Sequence, residues 1–189
     1  CDLRNCCPFM HTACLGGTVY CLAVFFIYAE KSFRSYQPGD TRHKDIHMQT
    51  SARNVFKGKV AAVHSGAVND EVELSVEGGL SIVASITQVS TKKLGLKPGV
   101  DAIALIKASF VLLMNDAENY LLSTRNQFAG TVSKVTPGAV NAEVLIDLPS
   151  GKSIASIVTM GSLANLGLAP GKKITAIVKA SQVILAVPK

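Results

Sequence analysis

Cysteine is absent after residue 21, and tryptophan is absent from the whole chain. The spacing of the N-terminal cysteines, Cys1, Cys6, Cys7, Cys14 and Cys21, matches no standard zinc pattern. Residues 22–189 can therefore hold neither a disulfide nor a thiolate metal site, as is typical of a reducing compartment. Aromatic residues make up only 6% of the chain, which argues against a nucleic-acid binder that stacks bases on exposed rings.

Residue patterns that carry catalysis are also missing from the C-terminal three quarters of the chain. His64 is the only histidine after residue 47, and no carboxylate pair or phosphate-binding Walker loop follows it. The pattern indicates a protein that is not an enzyme. The 19 basic residues outnumber the 13 acidic ones, giving a net charge of +6, which favours an anionic partner: nucleic acid, a membrane surface or a small oxyanion.

The chain contains an internal duplication. Residues 51–113 (copy 1) align without a gap to residues 123–185 (copy 2) at a shift of 72 residues. About 29 of about 63 paired positions are identical, more than chance allows. The identities fall on four short words, S-x-R-N-x-F, G-A-V-N, L-G-L-x-P-G and K-A-S. We expect two domains, at residues 48–114 and 123–189, joined by a short connector.

Residues 1–47 do not resemble the duplicated part. An apolar run at residues 12–29 has the length of a marginal transmembrane helix or a signal-sequence core, and residues 32–47 are polar. Three interpretations stay open: a functional protein that starts at Met48, a membrane anchor or uncleaved signal, and a lipid-anchored Cys1. If the functional protein starts at Met48, no membrane partner is expected.

The hydrophobic pattern predicts five strands in each copy, with one helical turn between the third and fourth. In copy 1 the strands are predicted at 54–63, 68–76, 80–87, 100–107 and 110–114. In copy 2 they are predicted at 126–135, 140–148, 152–159, 173–179 and 182–187. Gly58 is predicted to lie at a bulge or sharp bend. Ser90 is predicted to cap the helical turn, and Gly95 to end it. The predicted fold is all-β, with two tandem OB-like five-stranded barrels.

Several polar residues occur in both copies although neighbouring surface charges differ between them. They are two cations and four hydroxyls: Arg53/Arg125, Lys107/Lys179, Ser51/Ser123, Thr87/Thr159, Ser90/Ser162 and Ser109/Ser181. All are hydrogen-bond donors, and an oxyanion presents only acceptors. This set therefore predicts a site for a small anion. Glu71/Glu143 is also repeated, and we interpret it as a salt-bridge partner.

The four words together resemble the molybdate-binding Mop domain, also called the molbindin or TOBE-like domain. Two copies resemble the di-domain molbindins, and the resemblance covers residues 48–189. It implies OB-like barrels that bind molybdate, and tungstate similarly, without catalysis and without an organic cofactor. It also implies a homotrimer with strand exchange. We expect such a protein to store or buffer the anion in the cytoplasm, and the few aromatic residues predict no nucleic-acid partner.

The resemblance implies two classes of oxyanion site. The first lies between domains and is made by Ser51, Arg53, Lys107, Ala108 and Ser109 facing Thr87 and Ser90 of a neighbour, with the equivalents Ser123, Arg125, Lys179, Ala180, Ser181, Thr159 and Ser162. The second lies near the threefold axis and uses the backbone of the G-A-V-N turns, Gly66, Ala67, Val68 and Asn69, and Gly138, Ala139, Val140 and Asn141.

Two sequence differences predict that the two copies bind an anion with different affinities. Asp70 stands where copy 2 has Ala142, and its negative charge is expected to weaken an anion site at the first G-A-V-N turn. Beside the repeated serines, copy 1 has Gln88-Val89 where copy 2 has Met160-Gly161. Two other functions remain open: an anion-sensing regulatory module that acts with a transporter or transcription partner, and an OB-type nucleic-acid binder.

Overall fold

The structure is a computed structural model that describes residues 48–188. The interpretations of residues 1–47, including the apolar run and the cysteine cluster, lie outside the described residues. Within the described part of the chain, no helix is long and apolar enough to cross a membrane. The two copies belong to one compact unit.

Copy 1 forms four strands, a helix and a short fifth strand. They are β1 (Asn54–His64), β2 (Asn69–Val76), β3 (Leu80–Thr87), α1 (Gln88–Leu94), β4 (Asp101–Ile106) and β5 (Leu112–Met114). A 3₁₀ helix, Ala108–Phe110, precedes β5, so the fifth strand is shorter than predicted. On β2 the alternation is as predicted, because Val72, Leu74 and Val76 are buried while the intervening residues are not.

Copy 2 repeats this order. Its elements are β6 (Asn126–Pro137), β7 (Asn141–Asp147), β8 (Ser153–Thr159), α2 (Met160–Asn165), β9 (Lys173–Val178) and β10 (Ile184–Ala186). A 3₁₀ helix at Ala180–Gln182 precedes β10, and another at Ala117–Asn119 lies in the connector. The predicted all-β architecture, with one short helix per copy, is confirmed.

The two copies exchange their last strands. One five-stranded sheet has the order β10-β4-β1-β2-β3, and the other has the order β5-β9-β6-β7-β8. Each sheet therefore takes four strands from one copy and its fifth from the other. Strand β5 pairs antiparallel with β9, with Leu113 opposite Ala176, and β10 pairs antiparallel with β4, with Leu185 opposite Ala104.

The predicted bulge at Gly58 is wrong in its position. The register between β1 and β2 shifts between Val60 and Ala62, and Gly58 pairs regularly with Val76. Gly58 lies instead where two strands approach closely, since a Cβ there would stand 2.3 Å from the Ser75 carbonyl oxygen. The glycine thus serves close packing of the backbone rather than a bend.

The predicted helix cap is also corrected. Thr87, not Ser90, is the N-cap of α1, because its backbone is extended and its hydroxyl accepts the Ser90 N–H. Ser90 lies inside the helix. Thr159 and Ser162 repeat this arrangement at α2. Gly95 ends α1 in the left-handed conformation, with φ of 62°, as predicted.

A single hydrophobic core joins the copies. It includes Phe56 and Val60 from copy 1 and Phe128 and Val132 from copy 2, all of which are buried. Leu185 of β10 and Val111, just before β5, are also buried in it. The exchanged strands therefore bury apolar surface against the opposite copy, so neither copy completes its barrel alone.

Candidate functional site

Two hydroxyls of copy 1 are held together where β3 meets α1. The Thr87 and Ser90 hydroxyl oxygens lie 2.8 Å apart, and the Ser90 N–H donates to Thr87 Oγ1 at 3.2 Å. Thr159 and Ser162 form the same pair in copy 2, with hydroxyl oxygens 3.0 Å apart. The helix cap thus fixes both hydroxyl groups of each pair at a strand end.

A cavity of about 400 Å³ brings this pair together with copy 2. Thr87 and Ser90 line one side, and Ser181 lies with β10 residues on the other. Ser181 is presented by the 3₁₀ helix Ala180–Gln182, which packs against β3. The structure therefore places the hydroxyls of two predicted half-sites, one from each copy, around one cavity.

An adjoining cavity of about 560 Å³ contains Arg125 of copy 2. It shares Asn69 and Ser85 with the first cavity, so Arg125 and the three hydroxyl groups line adjoining cavities. The remaining lining residues come from copy 1: His64, Ser65, Gly66, Asp70 and Glu71. A cation from copy 2 and hydroxyls from both copies thus line two adjoining cavities, the second of which also carries two carboxyl groups.

The repeated glutamates pair with the repeated arginines of the opposite copy. Arg125 Nη1 lies 2.5 Å from Glu71 Oε1, and Arg53 Nε lies 3.6 Å from Glu143 Oε1. The salt-bridge interpretation of Glu71/Glu143 is confirmed. All four side chains are partly exposed, so each ion pair contributes little to stability and can exchange its partner.

Other predicted donors lie outside both cavities. Lys107 and Lys179 are exposed and directly precede the 3₁₀ helices, and Lys107 Nζ lies 5.7 Å from the centre of the Phe110 ring. The other predicted residues of the inter-domain sites that line neither cavity are Ser51, Arg53, Ala108, Ser109, Ser123, Thr159, Ser162 and Ala180. Of these, Ser109 lies on the 3₁₀ helix that packs against β8, which mirrors Ser181 beside β3.

The G-A-V-N turns lie next to the helix caps. The Val68 carbonyl accepts the Gln88 N–H at 3.0 Å, and the Val140 carbonyl accepts the Met160 N–H at 3.0 Å. Each turn is therefore hydrogen bonded to the start of its own short helix. Asn69 lines both cavities, while the predicted turn residues of copy 2, Gly138, Ala139, Val140 and Asn141, line neither.

Sequence reasoning assigned no role to two buried asparagines. Asn54 is bonded to both backbone groups of Ala155 on β8, at 2.9 and 2.7 Å, and Asn126 is bonded to both groups of Val83 on β3, at 2.7 and 2.8 Å. β3 and β8 are the edge strands of their sheets. The sequence does contain a signal for this role, because asparagine begins the first strand of both copies.

The donor set suits an oxyanion. Arginine and hydroxyl groups donate hydrogen bonds, and arginine also supplies a positive charge in a planar arrangement that matches paired anionic oxygens. Glu71 and Glu143 offer only acceptors when ionised, so a bound anion would have to compete with them for the arginines.

Two OB-like sheets that complete each other by strand exchange define a tandem small-barrel protein. The chain belongs to the TOBE domain family, whose model matches residues 50–113 and 122–185. The resemblance to tandem molbindin-type domains is thereby confirmed.

Solved structures and curated proteins are similar in sequence to the duplicated part of the chain. A crystal structure of the cytoplasmic molybdate-binding protein ModG, with molybdate bound, is 49% identical, with a TM-score of 0.72, and the match covers 75% of this chain and 100% of that one. The molybdenum-pterin-binding protein MopA of Rhodobacter capsulatus is 48% identical over 76% of this chain and 54% of its own length. The DNA-binding transcriptional dual regulator ModE of Escherichia coli is 33% identical over 74% of this chain and 52% of its own. The chain thus spans about half the length of these two curated relatives.

Proposed function

We propose that this chain binds molybdate, and tungstate similarly, between its two copies and without catalysis. The observation that carries the proposal is the convergence of Arg125 and Ser181 from copy 2 with Thr87 and Ser90 from copy 1 in adjoining cavities. By the 72-residue shift, Arg53 and Ser109 of copy 1 with Thr159 and Ser162 of copy 2 are the proposed second site. Both groups of residues are oxyanion donors.

Removing water from a dianion requires many donors at once. The donors described here are exposed or half-buried, so each site lies open at the surface of the single chain. We propose that the chain assembles as a homotrimer, in which neighbouring subunits cover the sites and bring Lys107 and Lys179 to the anion. Anion binding would then stabilise the assembly. The G-A-V-N turns of different subunits would supply the second class of site near the threefold axis.

The proposed role is storage and homeostasis of molybdenum in the cytoplasm. The similarity to ModG supports it, because the match covers that whole chain and that protein is described as cytoplasmic and molybdate-binding.

A second candidate role is molybdate sensing within a larger regulatory system. The similarity to ModE supports it, because that relative is a transcriptional regulator matched over about half of its length. A gel shift with double-stranded DNA, with and without molybdate, separates the roles, since a storage protein leaves the DNA mobility unchanged. The same assay with single-stranded DNA tests the expectation that the chain binds no nucleic acid.

Calorimetry of the full chain with molybdate, tungstate and sulfate tests the binding itself. We expect saturable heat with molybdate and tungstate and none with sulfate. Native mass spectrometry of the same samples gives the subunit count and the number of bound anions together. Absence of saturable heat with both molybdate and tungstate would contradict the proposed function.

A further inference from the structure

The 72-residue shift relates two sites whose donors are the same but whose surroundings differ. The Arg125 site consists of Arg125 and Ser181 of copy 2 with Thr87 and Ser90 of copy 1. Applying the 72-residue shift gives the equivalent set, here called the Arg53 site: Arg53 and Ser109 of copy 1 with Thr159 and Ser162 of copy 2. A difference in affinity must therefore come from residues around the donors.

Among the carboxylates and the arginine that line the Arg125 cavity, Asp70 is the residue whose equivalent in the other copy is uncharged. It lines the cavity that contains Arg125, and copy 2 has Ala142 at the equivalent position. Asp70 is 2% exposed and Ala142 is 1% exposed, so both positions are buried in the same way. Because the Asp70 side chain is buried, it cannot turn outward into solvent when an anion approaches.

The surrounding turn holds the Asp70 carboxyl group in place. Asp70 Oδ1 accepts the Gly66 N–H at 3.3 Å. In copy 2 the equivalent Gly138 N–H donates to the Asn141 carbonyl at 2.9 Å, within the backbone. The G-A-V-N turn therefore forms without a carboxylate in copy 2, and the fold does not require one at position 70.

The two arginine–glutamate pairs also differ, in the distance between their charged atoms. Arg125 approaches Glu71 at 2.5 Å, whereas Arg53 lies 3.6 Å from Glu143. An anion entering the Arg125 site must compete with a closely paired glutamate and also faces the Asp70 carboxyl group. An anion entering the Arg53 site meets no second carboxyl group from position 142, where copy 2 has alanine.

We propose that the two sites bind molybdate with unequal affinity and that Asp70 is the residue that weakens the Arg125 site. This inference rests on the proposed function and deepens it. One negative charge acting on a dianion across partly hydrated protein is expected to change affinity by about three- to tenfold. The chain then fills its Arg53 site at lower molybdate concentration than its Arg125 site.

Calorimetry of the full chain with molybdate tests the proposal one site at a time. In an Arg53→Ala background the remaining inter-copy binding reports the Arg125 site, and Asp70→Asn should tighten it by about three- to tenfold. Asparagine keeps a carbonyl oxygen for the Gly66 N–H, so this variant removes the charge and retains the hydrogen bond. In an Arg125→Ala background, Ala142→Asp should weaken the Arg53 site by a similar factor.

Asp101→Asn is the matched control. Asp101 is a carboxylate on β4 that pairs with Lys59 and lines neither cavity, so its loss should leave both affinities unchanged. Because Ala142→Asp adds a carboxyl group at a buried position, the decision rests on Asp70→Asn, whose fold is checked by circular dichroism. An unchanged affinity in the Arg53→Ala, Asp70→Asn protein would overturn the inference and leave the proposed function standing. Absence of molybdate binding by the unsubstituted chain would overturn both.

Discussion

Asn126 and Asn54 satisfy backbone groups at the edges of the two sheets. Val83 on β3 and Ala155 on β8 are buried, and each exchanges two hydrogen bonds with an asparagine side chain of the opposite copy. Without the asparagine, a buried N–H and a buried carbonyl would lose their partners together. These two residues therefore tie each edge strand to the opposite copy and occupy one of its outward-facing backbone positions.

We predict that Asn126→Ala lowers the free energy of unfolding by about 2–4 kcal/mol, because each unsatisfied buried backbone group costs about 1–3 kcal/mol. Guanidinium unfolding of the full chain measures it. Asn119→Ala, at an exposed position in the connector, is the control and should change the free energy by less than about 0.5 kcal/mol. A loss at Asn126 no larger than that of the control would contradict the role of this side chain.

The repeated arginines supply positive charge and hydrogen-bond donors to the proposed anion sites. We predict that Arg53→Ala weakens molybdate binding at its site by tenfold or more, because loss of a charged donor costs about 1.5–3 kcal/mol. Lys107→Ala is expected to do the same at that site in the assembled protein. Calorimetry with molybdate measures both changes.

Lys57→Ala provides the matched control for these two variants. Lys57 is exposed on β1, which begins directly after Arg53, and copy 2 naturally has Ala129 at its position. Its removal lowers the net charge equally but should leave molybdate affinity unchanged. Equal effects of all three substitutions would indicate a general charge effect rather than a site.

At the scale of elements, Gly130 and Gly161 differ in the space that surrounds them. Substituting each by alanine therefore distinguishes a steric clash from an effect on backbone flexibility. A Cβ on Gly130 of β6 would lie 2.6 Å from the Asp147 carbonyl oxygen and from Ile146 Cγ2. A Cβ on Gly161 of α2 would have its nearest neighbour beyond the adjacent residues and the helix backbone 3.9 Å away, at Thr159 Oγ1. Copy 1 has Val89 at the position equivalent to Gly161, so the helix accepts a side chain there.

We predict that Gly130→Ala destabilises the chain by about 1–3 kcal/mol, because the strand must shift to admit the methyl group. Gly161→Ala should instead stabilise it by about 0.5–1 kcal/mol, since alanine favours a helix over glycine. Thermal and denaturant unfolding of the two variants measure these changes. A stabilising effect of Gly130→Ala would show that β6 and β7 are not as closely apposed as the structure indicates.

The elements also show what sequence reasoning could and could not supply. Alternation in β2 and the repeated glycine after α1 predicted the strand and the end of the helix, because both signals are local. The cap was assigned to Ser90 instead of Thr87, since two hydroxyl residues three positions apart both satisfy the cap pattern and only the backbone conformation decides. The bulge at Val60–Ala62 has no glycine or proline to mark it.

The sequence predicts the residue types of the candidate site but not which residues of the two copies come together in one chain. The duplication identified Arg125, Ser181, Thr87 and Ser90 as donors. It could not show that a single chain brings the first two to the last two, because periodicity does not specify which sheet a final strand joins. Asn126 was overlooked for the same reason, since its hydrogen-bond partner Val83 lies 43 residues away in the other copy.

At the scale of the whole molecule, strand exchange makes the two copies interdependent. Strand β5 pairs with β9 through Leu112–Ile177, Leu113–Ala176 and Met114–Thr175, and β10 pairs with β4 through Ile184–Leu105, Leu185–Ala104 and Ala186–Ile103. Subtracting the 72-residue shift from the β9 partners gives Leu105, Ala104 and Ile103, the same β4 residues that pair with β10. Strand β5 can therefore pair with β4 of a second copy 1 in the register that β10 uses.

We predict that a fragment of residues 48–122 forms a homodimer in which each β5 completes the sheet of the other. A monomer would leave β4 without its outer partner and would expose the core that β10 covers, at a cost in buried apolar surface. Multi-angle light scattering after size-exclusion chromatography measures the mass. Replacing Leu113 with Asp, which puts a charge into the exchanged strand, should shift the fragment toward unfolded monomer. A folded monomeric fragment, with the circular dichroism of the intact barrel, would show that β5 can return to its own sheet and that exchange follows from the connector rather than from the strands.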